Sequence, residues 1–179
     1  MGKIYLFTPE QTTILTQISK EPYLRDNFYF TGGTALSYLY LNHRHSEDLD
    51  FFSTNKFDQE IIFGLVSEWS KKYNFTFTAE FKQIVYVFFL TFKNGETLKI
   101  DFGYYPHVRV EKGMTYLGLS VDSMRDIAIN KFVTVNQRTH SKDFVDLYFL
   151  LKKFTLWDLI YGAEKKFSIK TDLFLLGID

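Results

Sequence analysis

Apolar and polar positions change rhythm twice along this chain. From Thr8 onward Ile14, Leu15 and Ile18 recur at helical spacing. Thr8 precedes Pro9, and Gln11 follows three residues later, the form of a capping box with proline at the first helical position. The pattern therefore predicts a helix opening at Thr8, with Pro22 beyond its end. Phe28 to Thr31 reads as a short strand, Gly32 and Gly33 as a turn, and Thr34 to Leu41 as a helix. Asn42 to Glu47 is polar and reads as a loop, Asp48 to Phe52 as a second strand, and Asp58 to Lys72 as a helix. Three β-type runs follow, Phe75 to Phe81, Ile84 to Phe92 and Thr97 to Phe102. Asn94-Gly95 between the last two is a hairpin signal. Gly103 to Met114 reads as a loop.

The second change comes near residue 121. Asp122 to Val135, capped by Asp122 or Ser123, then Ser141 to Lys153 and Leu156 to Lys166 all read as helices. The prediction is an α+β chain: a mixed sheet flanked by helices over 1–120, and a helical part over 121–179 packed on it.

Composition narrows the possibilities. Aromatic residues make up 19% of the 179, with 20 Phe and 12 Tyr, which supplies a core without disulfides or metals. Cysteine is absent, excluding thiolate chemistry and cysteine-ligated zinc and fitting a cytoplasmic protein. The N-terminus lacks the apolar stretch of a signal peptide, and the apolar run Ile84 to Leu90 is too short to span a bilayer, so no membrane association is expected. Formal net charge is zero, yet Met124 to Lys170 holds nine basic residues, Arg138 and Lys170 among them, against five acidic ones. That asymmetry suits either solvated helix faces or contacts to nucleic acid.

Candidate chemistry centres on Asp48-Leu49-Asp50. Alternate side chains of a strand share a face, so both carboxylates point the same way. Alone, such a pair reads as a polar strand end. In Leu98-Lys99-Ile100-Asp101-Phe102, Asp101 faces away from Ile100 and Phe102. If that strand neighbours the first, three carboxylates gather. Hard oxygen ligands select magnesium or manganese. Such a trio can hold two cations about 3.5–4 Å apart for in-line phosphoryl chemistry. Gly32 and Gly33, between strand and helix, let backbone N–H groups approach a phosphate, and Thr34 adds a hydroxyl. Arg44, in the loop before the carboxylates, suits a triphosphate contact or loop-stabilising hydrogen bonds.

The stretch FYFTGGTALSYLYLNHRHSEDLDFFS, Phe28 to Ser53, resembles the signature of the AbiEii/AbiGii nucleotidyltransferase toxins, within the DNA polymerase β-like superfamily. The Gly-Gly-Thr turn, the His-Arg-x-Ser loop and the Asp-x-Asp strand stand in order. A weaker second patch, Asp126 to Leu151, is similar to the family's later lysine and aspartate segment. The resemblance implies a nucleotidyltransferase-like mixed sheet with a C-terminal helical bundle. It also implies magnesium-dependent transfer of an NMP from an NTP to an acceptor hydroxyl, with the tRNA 3′ end or other RNA as one acceptor class. A toxin–antitoxin or abortive-infection role, with a cognate antitoxin, goes with it. Carried onto this chain, Asp48, Asp50 and Asp101 bind metal, and Asp101 serves as general base. Gly33 and Thr34 hold triphosphate, Lys131 contacts phosphates, and either Asp143 or Asp146 is the late aspartate. Two other readings stay open: an inactive nucleotide- or RNA-binding module on the same fold, and NMP transfer to a protein acceptor.

Overall fold

The computed structural model describes residues 6–135, 137 and 140–168. Arg138 and Lys170, counted in the basic run, lie outside them. Two units form. One comprises residues up to Pro106 together with Met114–Val121; the other comprises His107–Gly113 and the chain from Asp122.

Helix α1 (Pro9–Lys20) opens as its capping box requires. Gln11 N–H donates to Thr8 Oγ1 at 3.1 Å, and Thr8 N–H to Gln11 Oε1 at 3.0 Å. A short helix α2 (Pro22–Asn27) follows directly, where only a break was expected. Pro22 occupies its first turn, where a missing N–H costs nothing. Strand β1 (Tyr29–Thr31) leads into helix α3 (Gly32–Ala35), which widens into a π-helical segment, Leu36–Leu41. The helix therefore begins at Gly32, not Thr34. Gly32 takes φ +75°, a conformation that other residues enter only with strain.

The remaining elements of this unit are β2 (Leu49–Ser53), α4 (Gln59–Tyr73), β3 (Phe75–Lys82), β4 (Val85–Phe92) and β5 (Thr97–Tyr104). Two further strands, β6 (Thr115–Tyr116) and β7 (Leu119–Val121), were not expected from the pattern. They are two and three residues long, and β7 is held by parallel pairing with β1. The sheet runs β3-β4-β5-β2-β1-β7-β6.

The buried face carries the phenylalanines. Phe30 pairs in register with Phe51 and stacks on it at 5.3 Å; Phe51 pairs with Phe102 and stacks at 5.5 Å. All three are 0% exposed. This three-strand ladder fixes the alignment of β1, β2 and β5, because a slip by one residue would turn the rings toward solvent.

In the second unit, helices α5 (Met124–Val135), α6 (Ser141–Leu150) and α7 (Leu156–Phe167) pack together. Ser123 caps α5, its Oγ accepting from Asp126 N–H at 2.9 Å. Asp126 also accepts from Lys166 Nζ at 2.7 Å and from the Val110 and Glu111 N–H groups at 2.9 and 3.2 Å. That last pair ties His107–Gly113 to the helices. Among the described residues no helix is long and apolar enough to cross a membrane.

Candidate active site

Alternation does the first part of the work. Phe30, Phe51 and Phe102 point into the core, so their neighbours Thr31, Asp50 and Asp101 point to the other face. The ladder then sets these neighbours level. Thr31 is the register partner of Asp50, and Asp50 of Asp101 across the parallel β2–β5 pair. The strand carrying Asp101 thus does neighbour the Asp-x-Asp strand, and two carboxylates stand directly opposite one another. Neighbouring strands lie roughly 4.8 Å apart. Asp48 sits one residue before β2; continuing the register from Leu49 and Ile100 brings it level with Lys99.

The loop ahead of Asp48 is held at several points. Thr34, fully buried, donates its hydroxyl hydrogen bond to the Asp48 backbone carbonyl, and its oxygen lies 2.9 Å from Ser46 Oγ. Gln11 Nε2 donates to the Ser46 and Glu47 carbonyls at 3.0 and 2.9 Å. Tyr38 OH donates to the Ser46 carbonyl at 2.8 Å. Asp48 is therefore placed by α1, α3 and the π-helical segment together.

Both glycines of the turn are in close contact with charged groups. A β-carbon on Gly32 would come within 2.6 Å of Asp50 Cγ. A β-carbon on Gly33 would come within 2.5 Å of Arg44 Nη2. So Asp50 lies against one glycine and the Arg44 guanidinium against the next, while Arg44 Nη1 donates to the His45 carbonyl at 2.9 Å. A carboxylate and a guanidinium thus pack directly against the glycine pair.

Lys99 was absent from the sequence-derived set. It stands two residues before Asp101 on the same face of β5 and pairs with Asp101 Oδ2. Burial pulls its ammonium pKa down. The Asp101 hydrogen bond and charge, joined by the fields of Asp48 and Asp50, outweigh that and hold it above the ordinary lysine value. Lys-x-Asp alternation was the available signal, because it places the cation on the carboxylate face.

The donor set has the chemistry a hard divalent cation takes: three carboxylates from two adjacent strand segments. Among the described residues, no group of three or more His, Cys, Asp and Glu side chains already converges as a coordination shell. Lys99 meanwhile places a positive charge within the field of all three carboxylates. The arrangement fits a cation in charge and donor type.

In the second unit, Lys131 bridges both late aspartates. Its Nζ lies 2.6 Å from Asp143 Oδ1 and 2.7 Å from Asp146 Oδ2, and both acids are fully buried. The two aspartates share one ammonium, so neither stands apart as the late aspartate. Asp143 is accounted for by this ion pair as well as by its place in the first turn of α6.

Comparison with known proteins adds the family. The family described as "Nucleotidyl transferase AbiEii toxin, Type IV TA system" matches residues 13–170. Protein aq_aa25 of Aquifex aeolicus (strain VF5) is 33% identical over 138 residues, 75% of this chain; the chain spans 62% of that protein's length. The crystal structure of JHP933 from Helicobacter pylori aligns with a TM-score of 0.57 at 21% identity, covering 94% of this chain and 81% of its own. The Megavirus polyadenylate synthase aligns with a TM-score of 0.51 at 20% identity, covering 79% of this chain and 31% of its own. At such identities the likeness is one of fold. With residues 13–170 matched, the chain belongs to the AbiEii toxin family of nucleotidyltransferases, the toxins of type IV toxin–antitoxin systems.

Proposed function

We propose that this protein transfers an NMP from an NTP to an acceptor hydroxyl, with magnesium or manganese held by Asp48, Asp50 and Asp101. The observation that carries the reading is the register match of Asp50 with Asp101, with Asp48 two residues before Asp50 at the entry to β2. Divalent ions bound there would supply charge neutralisation at the attacking oxygen and at the departing pyrophosphate.

The chain's own residues do the rest. The Gly32–Gly33 backbone and Arg44 receive the triphosphate, the backbone through N–H donors and Arg44 through its planar fork. Thr34 holds the Asp48 end of the metal-binding segment. The acceptor oxygen attacks the α-phosphorus, the bond to pyrophosphate breaks, and the acceptor proton passes to Asp101. Lys131, fixed by Asp143 and Asp146, is assigned to phosphate binding. An RNA 3′ end such as that of tRNA is the proposed acceptor, and the basic residues of the C-terminal part support it. A cognate antitoxin is the proposed partner, by family. The proposed location is the cytoplasm.

The test is a transfer assay with each α-labelled NTP, magnesium, and either total tRNA or lysate protein, with Asp48→Ala as control. Label on tRNA that disappears in the control is the expected result. Label on a protein band would replace the acceptor. Magnesium-dependent NTP binding without transfer to either would turn the reading into a binding module.

A further inference from the structure

Lys99 has no part in the chemistry just proposed, although its ammonium pairs with one of the three carboxylates. The geometry is specific. Lys99 and Asp101 share a face of β5, Asp101 is the register partner of Asp50, and the same register carried one residue back sets Asp48 beside Lys99. The lysine thus pairs with one of the groups assigned to the metal and lies within the field of the other two. Its side chain is 32% exposed against 16% for Asp101, so it has solvent to swing into without disturbing the core. The loop before Asp48 and the ladder behind β2 and β5 fix the backbone positions of the three acids on the same end of the two strands. Like charges on one face of the sheet raise one another's energy, and Lys99, paired with Asp101, offsets part of that.

We propose that Lys99 is a resident counter-cation that competes with the divalent ion for Asp101: it offsets the charge of Asp101 in the metal-free protein and must leave that carboxylate when metal binds. The inference rests on the metal assignment above. A divalent ion then binds weakly to the protein alone. It binds more tightly once a triphosphate is present, because the displaced ammonium gains an anionic partner in exchange for the one it gave up. Lys99 is a positioning residue in this scheme and touches no reacting atom.

The experiment measures Mn2+ binding to the full chain by calorimetry, without nucleotide, in wild type, Lys99→Met, Lys99→Arg and Asp101→Asn. Thermal unfolding of each is followed in chelator and in Mn2+. Removing the competitor is expected to tighten Mn2+ binding by roughly tenfold in Lys99→Met, which corresponds to a coupling of ordinary size. The same variant should melt below wild type in chelator and regain the difference in Mn2+. Lys99→Arg, which keeps the charge, should stay near wild type in both. Wild type that binds Mn2+, with Asp101→Asn losing it and Lys99→Met binding no more tightly, would overturn the competition while leaving the metal assignment standing. Weaker binding in Lys99→Met would overturn it as well. Absence of Mn2+ binding in every variant would overturn both the inference and the metal assignment.

Discussion

Gly32 and Asp50 are packed so closely that a side chain on Gly32 would occupy the space of the Asp50 carboxylate. The glycine also holds a positive φ, so two independent constraints exclude any other residue. Gly32→Ala should cost about 1–2 kcal/mol in backbone strain alone. It should also push Asp50 out of line with Asp101, so transfer should fall further than stability. Urea unfolding alongside the transfer assay separates the two effects. Retained activity in a destabilised Gly32→Ala would mean that Asp50 finds its place by other means.

Asp48 depends on a hydroxyl it does not own. Thr34→Val keeps the shape of the side chain but removes the donor to the Asp48 carbonyl. Leaving that carbonyl unsatisfied should cost about 1–3 kcal/mol, measured by thermal or urea unfolding. Thr34→Ser restores the donor and should recover most of the loss. Equal stability of the Val and Ser variants would show that the hydrogen bond does not hold the segment.

Removing one carboxylate should damage transfer and spare the fold. Asp48→Asn relieves like-charge crowding, so its melting temperature should match or exceed wild type, whereas Asp101→Asn also gives up the Lys99 ion pair and should melt slightly below it. Transfer should drop by at least about 100-fold, equivalent to roughly 2.7 kcal/mol of transition-state stabilisation. A large loss of melting temperature would indicate that the acids are structural.

Acid should act on the second unit through Asp126. Burial pushes its carboxyl pKa up. Hydrogen bonds from Lys166, the Val110 N–H and Ser123, together with the Lys166 charge, pull it down further, so it lies below the usual aspartate value. A depressed folded-state pKa gives stability that is present above the unfolded value, about 3.9, and is lost as pH falls through the folded one. Asp126→Asn strands a buried ammonium and should cost about 3–5 kcal/mol at neutral pH. The gap between wild type and this variant should narrow below about pH 4. A gap that stays constant down to pH 3 would argue against the linkage.

Local signals read well where local chemistry decides. The capping box of Thr8 and Gln11, the Asn94-Gly95 hairpin and the helical period after Asp122 all led to elements found in place. Pro22 was misread because proline both follows helices and starts them. Strands β6 and β7 escaped because two or three residues carry no period, and pairing with β1 is what makes them strands. The π-helical widening at Leu36–Leu41 has no local signal that we can name. Within the candidate site, Asp48, Asp50 and Asp101 were visible as alternation. The parallel pairing of β2 with β5 is non-local and needed the fold. So did the committed Thr34 hydroxyl, the shared ammonium between Asp143 and Asp146, and the partnership of Lys99 with Asp101.

The stacked rings of Phe30, Phe51 and Phe102 have a last consequence. Each sits one residue from a polar neighbour on the opposite side of its strand, so aromatic stacking helps set which residues stand level across the site, while the hydrogen-bonded ladder sets their distance. A homologue could exchange much of its solvent-facing chemistry and keep the same dimensions. Another could retain every acid, lose one ring, and leave the register that aligns them less firmly specified. What keeps this site in register lies on the buried side of the sheet, away from the acids assigned to the chemistry.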